Sequence, residues 1–554
     1  MLLIVGLDGA SLELARNWAE AGRLPHLRRL FAEGAWGSLR STMPPATFPG
    51  WATFMTGMNP GRHGIFDFTR RTTGDYGVQF INGSYRKAPT VWSRLSEAGK
   101  RVAVFGVPGT YPPEPLNGCM ISGFDTPVTV KADASFVYPP ELVAEIEADG
   151  GFPFADFQEF RVDRDWHHDA LRRLLAGINT KVRVAERQLR KERWDCAMVL
   201  FGESDTVAHH FWRFCDPGSP RYDADGAREF GDAICTVYAA LDRAIGDLVD
   251  AARPDGLLVC SDHGFGGAGA SIVHLNRHLE RTGLLRWRRG GLAARVARTG
   301  KSWALRWLPA RLQARCFRLA GGRLASALES AHRFANIDWS GTQAFSEELN
   351  YFPSVWINLR GREPAGVVAP EDYDQVCDDV ATAMKDLRDP ESGAPIVARV
   401  WRRGELYQGP WVHLAPDLVL ELALPQGYSY TCLPSRGVSC REAVRVASRA
   451  EMAGGKLNGM SGSHRDDGMF VLSGPVRPGE GAGANIADLM PTILALCDVP
   501  VPGGLDGRVL PCVDLPFRAG PLKSSACGDG DEQAYAPEEA RLIERRLQAL
   551  GYIA

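Results

Sequence analysis

The sequence predicts an α/β protein: a central, mostly parallel sheet sandwiched by helices, with a helical insertion and a smaller α+β insertion. Three observations predict it. The apolar runs Leu2–Leu7, Asp195–Phe201 and Leu257–Cys260 are continuous rather than alternating, as strands covered on both faces are. Each run is followed within a few residues by an aspartate, Asp8, Asp205 and Asp262, at the end where open α/β sheets hold their ligands. Between the runs lie stretches of helical period. In Glu229–Ala252, for example, Ala233, Ile234, Val237, Leu241, Ile245 and Leu248 share one face.

Length and composition bound the answer. A chain of 554 residues can bury a large core, as one α/β domain with insertions or as several domains. Hydrophobic content of 45% and charged content of 23% are those of a globular protein. A net charge of −3 gives no electrostatic reason to expect nucleic acid or a membrane surface, and no nucleic-acid-binding motif occurs. Twelve scattered cysteines with no C-x-x-C pair fit a reducing compartment. The N-terminal Met-Leu-Leu-Ile-Val-Gly-Leu lacks a basic region and a cleavage site, and it is too short to span a bilayer. The expected location is therefore cytoplasmic.

The elements follow in order. Leu2–Leu7 is a strand, Leu12–Glu20 and Pro25–Glu33 are helices, and Gly37–Ser41 returns as a strand. A helix should begin near Pro49, with Thr47 just before it. Thr90–Gly99 reads as a helix, Arg101–Phe105 as a strand and Pro108–Pro115 as a loop. Tyr138–Gly151 gives a turn and a short acidic helix, and His167–Arg193 a long polar one with a solvated face. After the strand at Asp195–Phe201 and the helix at Glu229–Ala252 comes the strand Leu257–Cys260. A late strand, Met469–Leu472, follows a Gly/Ser loop that carries His464.

Three stretches, besides the loop that carries His464, carry chemistry. Asp262-His263 ends a strand and offers a carboxylate and an imidazole, ligand types for a zinc-like ion; a capping Asp beside a solvated His is the plainer reading. Asp205-Thr-Val-Ala-His209 places the same pair four residues apart, on one face if the segment is helical. Thr47 at a helix N-terminus lies where an anion or alkoxide is favoured; otherwise it is an N-cap. A threonine hydroxyl attacks only with a metal or base beside it.

The ordered set Leu7-Asp8-Gly9, Thr47-Phe48-Pro49, Thr56-Gly57, His63-Gly64-Ile65, Asp205-x-x-x-His209, Ser261-Asp262-His263-Gly264 and Gly462-Ser463-His464 resembles the alkaline phosphatase superfamily. It is most similar to the type I phosphodiesterase/nucleotide pyrophosphatase branch. Ile486–Leu494 and Gly504-Leu-Asp-Gly507 resemble that superfamily's closing helix and loop. The resemblance implies an alkaline-phosphatase-like core at residues 1–270 and 340–515, with 365–452 as the α+β insertion-like part. It implies two divalent ions, zinc with manganese as the alternative. One would be held by Asp205, His209 and His464, the other by Asp8, Asp262, His263 and the Thr47 oxygen. Such a pair would clamp the attacking and leaving oxygens of an in-line displacement, with Thr47 as nucleophile, a phosphothreonine intermediate and the Phe48 backbone N–H as an extra donor.

The expected activity is hydrolysis of a small-molecule phosphodiester. Alternatives are a phosphomonoesterase, phosphomutase or phosphoryl transferase with the same site, or a non-catalytic binding protein. A sulfatase is disfavoured, because Thr47-Phe-Pro-Gly-Trp lacks the C/S-x-P-x-R pattern. Gly50 stands where nucleotide pyrophosphatases of this branch carry asparagine in Thr-Phe-Pro-Asn.

The remaining segments are less telling. Residues 271–339 form a basic helical insertion or cap, arginine-rich between Leu275 and Phe334 with tryptophans interleaved. It reads as a solvated hairpin, a cap that gathers anionic substrates, or a surface for acidic lipid or a protein partner. Residues 516–554 hold a polar linker and a helix, Pro537–Leu550, that docks on the core or on a second subunit of a homo-oligomer.

Overall fold

A computed structural model describes residues 1–72, 74–127, 134–154, 164–288, 334, 336–435, 442–452, 460–481, 483–521 and 532–550. The chain begins with β1 (Leu2–Leu7), α1 (Leu12–Glu20), α2 (Pro25–Glu33), β2 (Ala35–Arg40), α3 (Thr47–Thr56) and α4 (Pro60–His63). A hairpin of β3 (Thr69–Arg71) and β4 (Val78–Phe80) follows, then α5 (Val91–Glu97), β5 (Val102–Val107), β6 (Gly118–Ser122), β7 (Val137–Tyr138) and α6 (Leu142–Ala148). Next come α7 (Arg164–Lys191), β8 (Cys196–Phe201), α8 (Glu203–Cys215), α9 (Ala224–Phe230), α10 (Ala233–Ala252), β9 (Gly256–Cys260), β10 (Gly264–Val273) and α11 (Leu275–Arg281).

The three apolar runs become the middle of the large sheet. Every residue of β1, β8 and β9 is buried, which is why the runs do not alternate. β1 lies between β8 and β9, parallel to both, with Leu7 opposite Phe201 and Gly6 opposite Cys260. β5 continues the parallel set beside β8, and β6 beside β5. This register brings the carboxyl ends of β1, β8 and β9 level, so the residues after them share one crevice. The sheet becomes antiparallel at both margins, where β7 pairs β6 and β18 (Asp467–Ser473) pairs β9 and β2.

Helices cover both faces. Leu3, Val5 and Leu7 face α1, α2, α7, α8 and α10 in one buried cluster. Leu2 and Ile4 face α3, α5 and the helix Leu489–Leu496 in the other. Alternate residues of one strand thus serve two separate cores.

Two smaller sheets lie beyond β10. β10 pairs β15 (Ser429–Cys432), β16 (Val444–Val446) and β17 (Gly462–Arg465). β11 (Ala344–Phe345), β12 (Ser354–Ile357), β14 (Leu418–Leu422) and β13 (Val397–Arg402) form the other, packed with the helix Tyr373–Lys385. That second sheet therefore takes in strands N-terminal to residue 365. Of the expected basic insertion, residues 289–333 and 335 lie outside the described residues. Among the described residues, no helix is long and apolar enough to cross a membrane.

The helix Pro537–Leu550 docks on its own core. Ile543 and Leu547 are buried with Tyr535 against Phe48, Ile65, Phe68 and Ile81. Arg546 donates from Nη1 to the carbonyls of Phe124 and Thr126 at 2.6 and 2.5 Å. Leu547→Ala deletes a fully buried side chain here, and we expect a loss of about 2–4 kcal/mol in unfolding free energy, read by urea denaturation. An unchanged midpoint would mean that the helix is undocked in solution.

Candidate active site

The crevice at the carboxyl ends of β1, β8 and β9 gathers all seven side chains singled out in the sequence. Asp8 leaves β1, Asp205 and His209 lie one turn apart on α8, and Asp262 and His263 follow β9. His464 arrives on β17, paired with Phe265 of β10, so it reaches the site from a strand rather than from the expected loop. Asp8, Thr47, Asp205, His209, Asp262 and His263 are fully buried, and His464 nearly so.

Thr47 is the first residue of α3 and not its cap. Ala46 holds the cap position and makes no side-chain cap bond. The Thr47 hydroxyl instead donates toward Asp8 Oδ1 at 3.4 Å and lies 3.2 Å from His263 Nε2. The N–H groups of Thr47 and Phe48 precede the first intrahelical bond, from Gly50 N–H to the Ala46 carbonyl, and stand at the positive end of the helix dipole.

The donor atoms form two clusters. His209 Nε2 and His464 Nε2 are 3.1 Å apart, and each is 3.4 Å from Asp205 Oδ1. His263 Nε2 lies 3.5 Å from both Asp8 Oδ1 and Asp262 Oδ2. It is also 4.0 Å from Asp205 Oδ1, so His263 sits between the clusters. Ligands of a tetrahedral ion at about 2.0–2.1 Å stand roughly 3.3 Å from one another, the spacing found in both groups.

Proton bookkeeping points the same way. Each histidine has Nδ1 beside a backbone carbonyl: Gly462 for His209 at 3.2 Å, Gly264 for His263 at 3.0 Å and Pro45 for His464 at 3.0 Å. A carbonyl only accepts, so the proton belongs on Nδ1 and the Nε2 lone pair faces the cluster. Three lone pairs then converge on three carboxylates with too few protons to share. His209 Nε2 and His464 Nε2 repel each other unless a cation lies between them.

The electrostatics agree. Burial pushes the Asp8 carboxyl well above the usual range, and Asp205 adds to the shift. Burial and the Asp8 charge do the same to Asp262, whose Oδ2 has no hydrogen-bond partner among the described residues. Burial raises Asp205, and only positive charge at His209 and His464 offsets it and holds the carboxyl below its ordinary value. Burial and the neighbouring His464 push His263 well below the usual imidazole range. Asp205, His263 and His464 form one group close enough to hold a metal ion, and Asp8, Asp262 and His263 another.

Several supporting residues were not foreseen. Trp51 donates from Nε1 to Asp8 Oδ2 at 3.0 Å, and Ser204 Oγ donates to the Asp8 carbonyl at 2.6 Å. Gly9 donates to Asp262 Oδ1 at 3.2 Å. It has φ +63, and a Cβ there would meet Asp205 Oδ1 at 2.9 Å, so glycine is required. Gly50 faces the site too, since a Cβ would lie 3.2 Å from Asp262 Cβ. Tyr351 stacks on His464 with ring centroids 4.1 Å apart, and its hydroxyl is 3.3 Å from His209 Nδ1. Trp51 stood next to the flagged Thr47 stretch and was within reach of the sequence. Tyr351 comes from the second sheet region and had no signal.

His63 anchors α3. Its Nδ1 accepts from Ile65 N–H at 3.2 Å, so Nε2 carries the proton to Thr53 Oγ1 at 3.0 Å. Burial, with Arg86 nearby, pushes its pKa down to about 3 from an ordinary 6.5. The folded value is depressed, so this group costs no stability above pH 6.5 and takes stability away as the pH falls toward about 3. We expect unfolding midpoints to drop through that window, and the slope to lessen in His63→Gln. An equal slope in both proteins would exclude His63 as its source.

The family model described as Type I phosphodiesterase / nucleotide pyrophosphatase matches residues 2–433. That span holds six of the seven side chains; His464 lies beyond it. No curated protein matches the chain. Among solved structures, the fold is similar to phosphonoacetate hydrolase from Sinorhizobium meliloti 1021 in complex with phosphonoacetate, with TM-score 0.55 and 15% identity over 89% of this chain and 95% of that one. Human ectonucleotide pyrophosphatase / phosphodiesterase 5 aligns with TM-score 0.46 and 12% identity over 94% of this chain and 97% of that one.

Proposed function

Because the chain belongs to the type I phosphodiesterase / nucleotide pyrophosphatase family of the alkaline phosphatase superfamily, we propose that it is a metal-dependent phosphodiesterase that works through a phosphothreonine on Thr47. The observation that carries the reading is the gathering of three imidazoles and three buried carboxylates in one crevice, with the Thr47 hydroxyl at a helix N-terminus in reach of Asp8 and His263. Asp205, His209 and His464 would hold one divalent ion, and Asp8, Asp262, His263 and the Thr47 oxygen a second. The imidazole-rich donor set favours zinc. Bound there, the ions would supply positive charge that favours the Thr47 alkoxide and offsets charge on the phosphoryl oxygens and the leaving alcohol.

The chain's own groups do the rest. Thr47 Oγ attacks phosphorus in line with the departing alcohol, and the ester passes to the threonine. The open N–H groups of Thr47 and Phe48 donate to phosphoryl oxygens. Trp51 and Gly9 hold Asp8 and Asp262 in orientation through their hydrogen bonds. Water then attacks phosphorus from the side the alcohol left, and Thr47 is released.

The test compares bis-p-nitrophenyl phosphate with p-nitrophenyl phosphate. We expect a higher kcat/KM on the diester. Preference for the monoester would overturn the diesterase reading in favour of a phosphomonoesterase. Transfer to added alcohol in place of water would identify a transferase.

A further inference from the structure

One wall of the crevice comes from a loop of the sheet that holds β11 and β12. Those strands form an antiparallel pair, and the chain between them, residues 346–353, carries Tyr351 to the histidines. The loop is tied down along its length. The Asn276 side chain accepts from Ser346 N–H at 2.7 Å and donates to the Ser346 carbonyl at 2.8 Å. Glu348 is buried, and its carboxylate accepts from Asn276 N–H at 2.9 Å and from the N–H and hydroxyl of Ser435. Its φ of +54 is a left-handed conformation that a glutamate keeps only where its surroundings hold it. Asn350 Oδ1 accepts from Cys432 N–H at 2.9 Å. A loop fixed at Ser346, Glu348 and Asn350 leaves its next side chain, Tyr351, little freedom of placement.

Tyr351 touches two imidazoles of the same cluster. Its ring lies 4.1 Å from that of His464, 16° from parallel, and the His263 ring lies 3.8 Å from His464, 22° from parallel. Two rings that each stack so closely on one imidazole cannot share a face of it, so His464 is clasped between Tyr351 and His263. The contact between His464 Nδ1 and the Pro45 carbonyl fixes rotation within the ring plane, which leaves Nε2 facing Asp205. The Tyr351 hydroxyl stands 3.3 Å from His209 Nδ1, the edge of that ring away from Nε2. It shares the Nδ1–H with the Gly462 carbonyl at 3.2 Å. The tyrosine is therefore behind the ligand atoms and not among them. Both contacts fall on the group of Asp205, His209 and His464, and His263 is reached through His464.

We infer that Tyr351 is a positioning residue for one of the two ions: it sets the site of Asp205, His209 and His464 and leaves that of Asp8, Asp262 and His263 almost unaffected. The inference rests on the metal-dependent reading and adds to it a residue that governs the occupancy of a single site. The ring does most of this. When the hydroxyl is gone, the Gly462 carbonyl still accepts the His209 proton, whereas the stack on His464 is lost only with the ring.

The experiment uses the full chain and measures zinc affinity by competition with a chromophoric chelator, not turnover. The wild type should take up about two ions. Tyr351→Leu removes ring and hydroxyl, and it should weaken one ion about 10–100-fold and the other by less than about three-fold. Tyr351→Phe keeps the ring and should hold the sensitive ion within about three-fold of wild type. Two backgrounds identify that ion. Added to Asp262→Asn, Tyr351→Leu should weaken the ion that remains; added to His464→Ala, it should change nothing further. If Tyr351→Leu fails to fold, Tyr351→Met, which fills more of the space, takes its place. Wild-type affinity for both ions in the leucine variant overturns the inference and leaves the metal-dependent reading in place. An equal loss at both ions also overturns it, since that marks a general loosening of the crevice. A wild-type chain that takes up no zinc overturns the metal-dependent reading, and the inference with it.

Discussion

Thr47→Ala is expected to abolish turnover of bis-p-nitrophenyl phosphate, with kcat falling by about 10⁴-fold or more, as removal of a covalent nucleophile does elsewhere. The fold should survive, because the change deletes two side-chain atoms at the start of a helix held by Trp51, Phe54 and Met55 in a fully buried cluster. Thr47→Ser keeps an oxygen within reach of Asp8 and His263 and should retain part of the activity. Acid-quenched turnover followed by mass spectrometry should find phosphate ester on the peptide that contains Thr47, and none in Thr47→Ala. Full activity in the alanine variant would remove the nucleophile from the proposal.

Stripping divalent ions should have the second large effect. Chelation should lower the rate by about 10³-fold or more, and zinc should restore it. Metal analysis of the intact protein should find about two ions per chain, and Asp262→Asn or His464→Ala should lose one of them. The second readout is stability. Without a cation, Asp8, Asp205 and Asp262 face one another in a space closed to water, and burial drives two of those carboxyls upward. The stripped protein should therefore melt lower, and added metal should raise the midpoint in a concentration-dependent way. A midpoint insensitive to metal, with no ion bound, would favour a non-catalytic binding protein.

Much of this was legible because strand burial and ligand chemistry both leave local marks. An apolar run ending in aspartate is visible at Asp8 and at Asp262, and the parallel register that levels those ends follows from burial on both faces. Asp205 and His209 were readable as a helical pair because four residues make about one turn. The helix at Thr47 was read two residues late, since Pro49 looks like a start and here sits in the first turn. His464 was read in a loop because Gly462-Ser463 carries no strand propensity, and its strand exists only through pairing with Phe265. Tyr351 was out of reach for the same reason. Its contacts with His209 and His464 span long stretches of chain, and nothing local records them.

The distances along the chain between partners have a consequence for how the protein is made. The first aspartate leaves the ribosome long before the last histidine, and β1 gains its second neighbour only once β9 has been made. Until β17 pairs with β10, the carboxylate ends of the sheet are assembled without one of their imidazoles. A nascent chain halted anywhere in that interval carries the parallel middle of the large sheet without β18, and the candidate centre without His464. Such an intermediate exposes unpaired strand edges, and it is the stage at which this fold most needs protection from association.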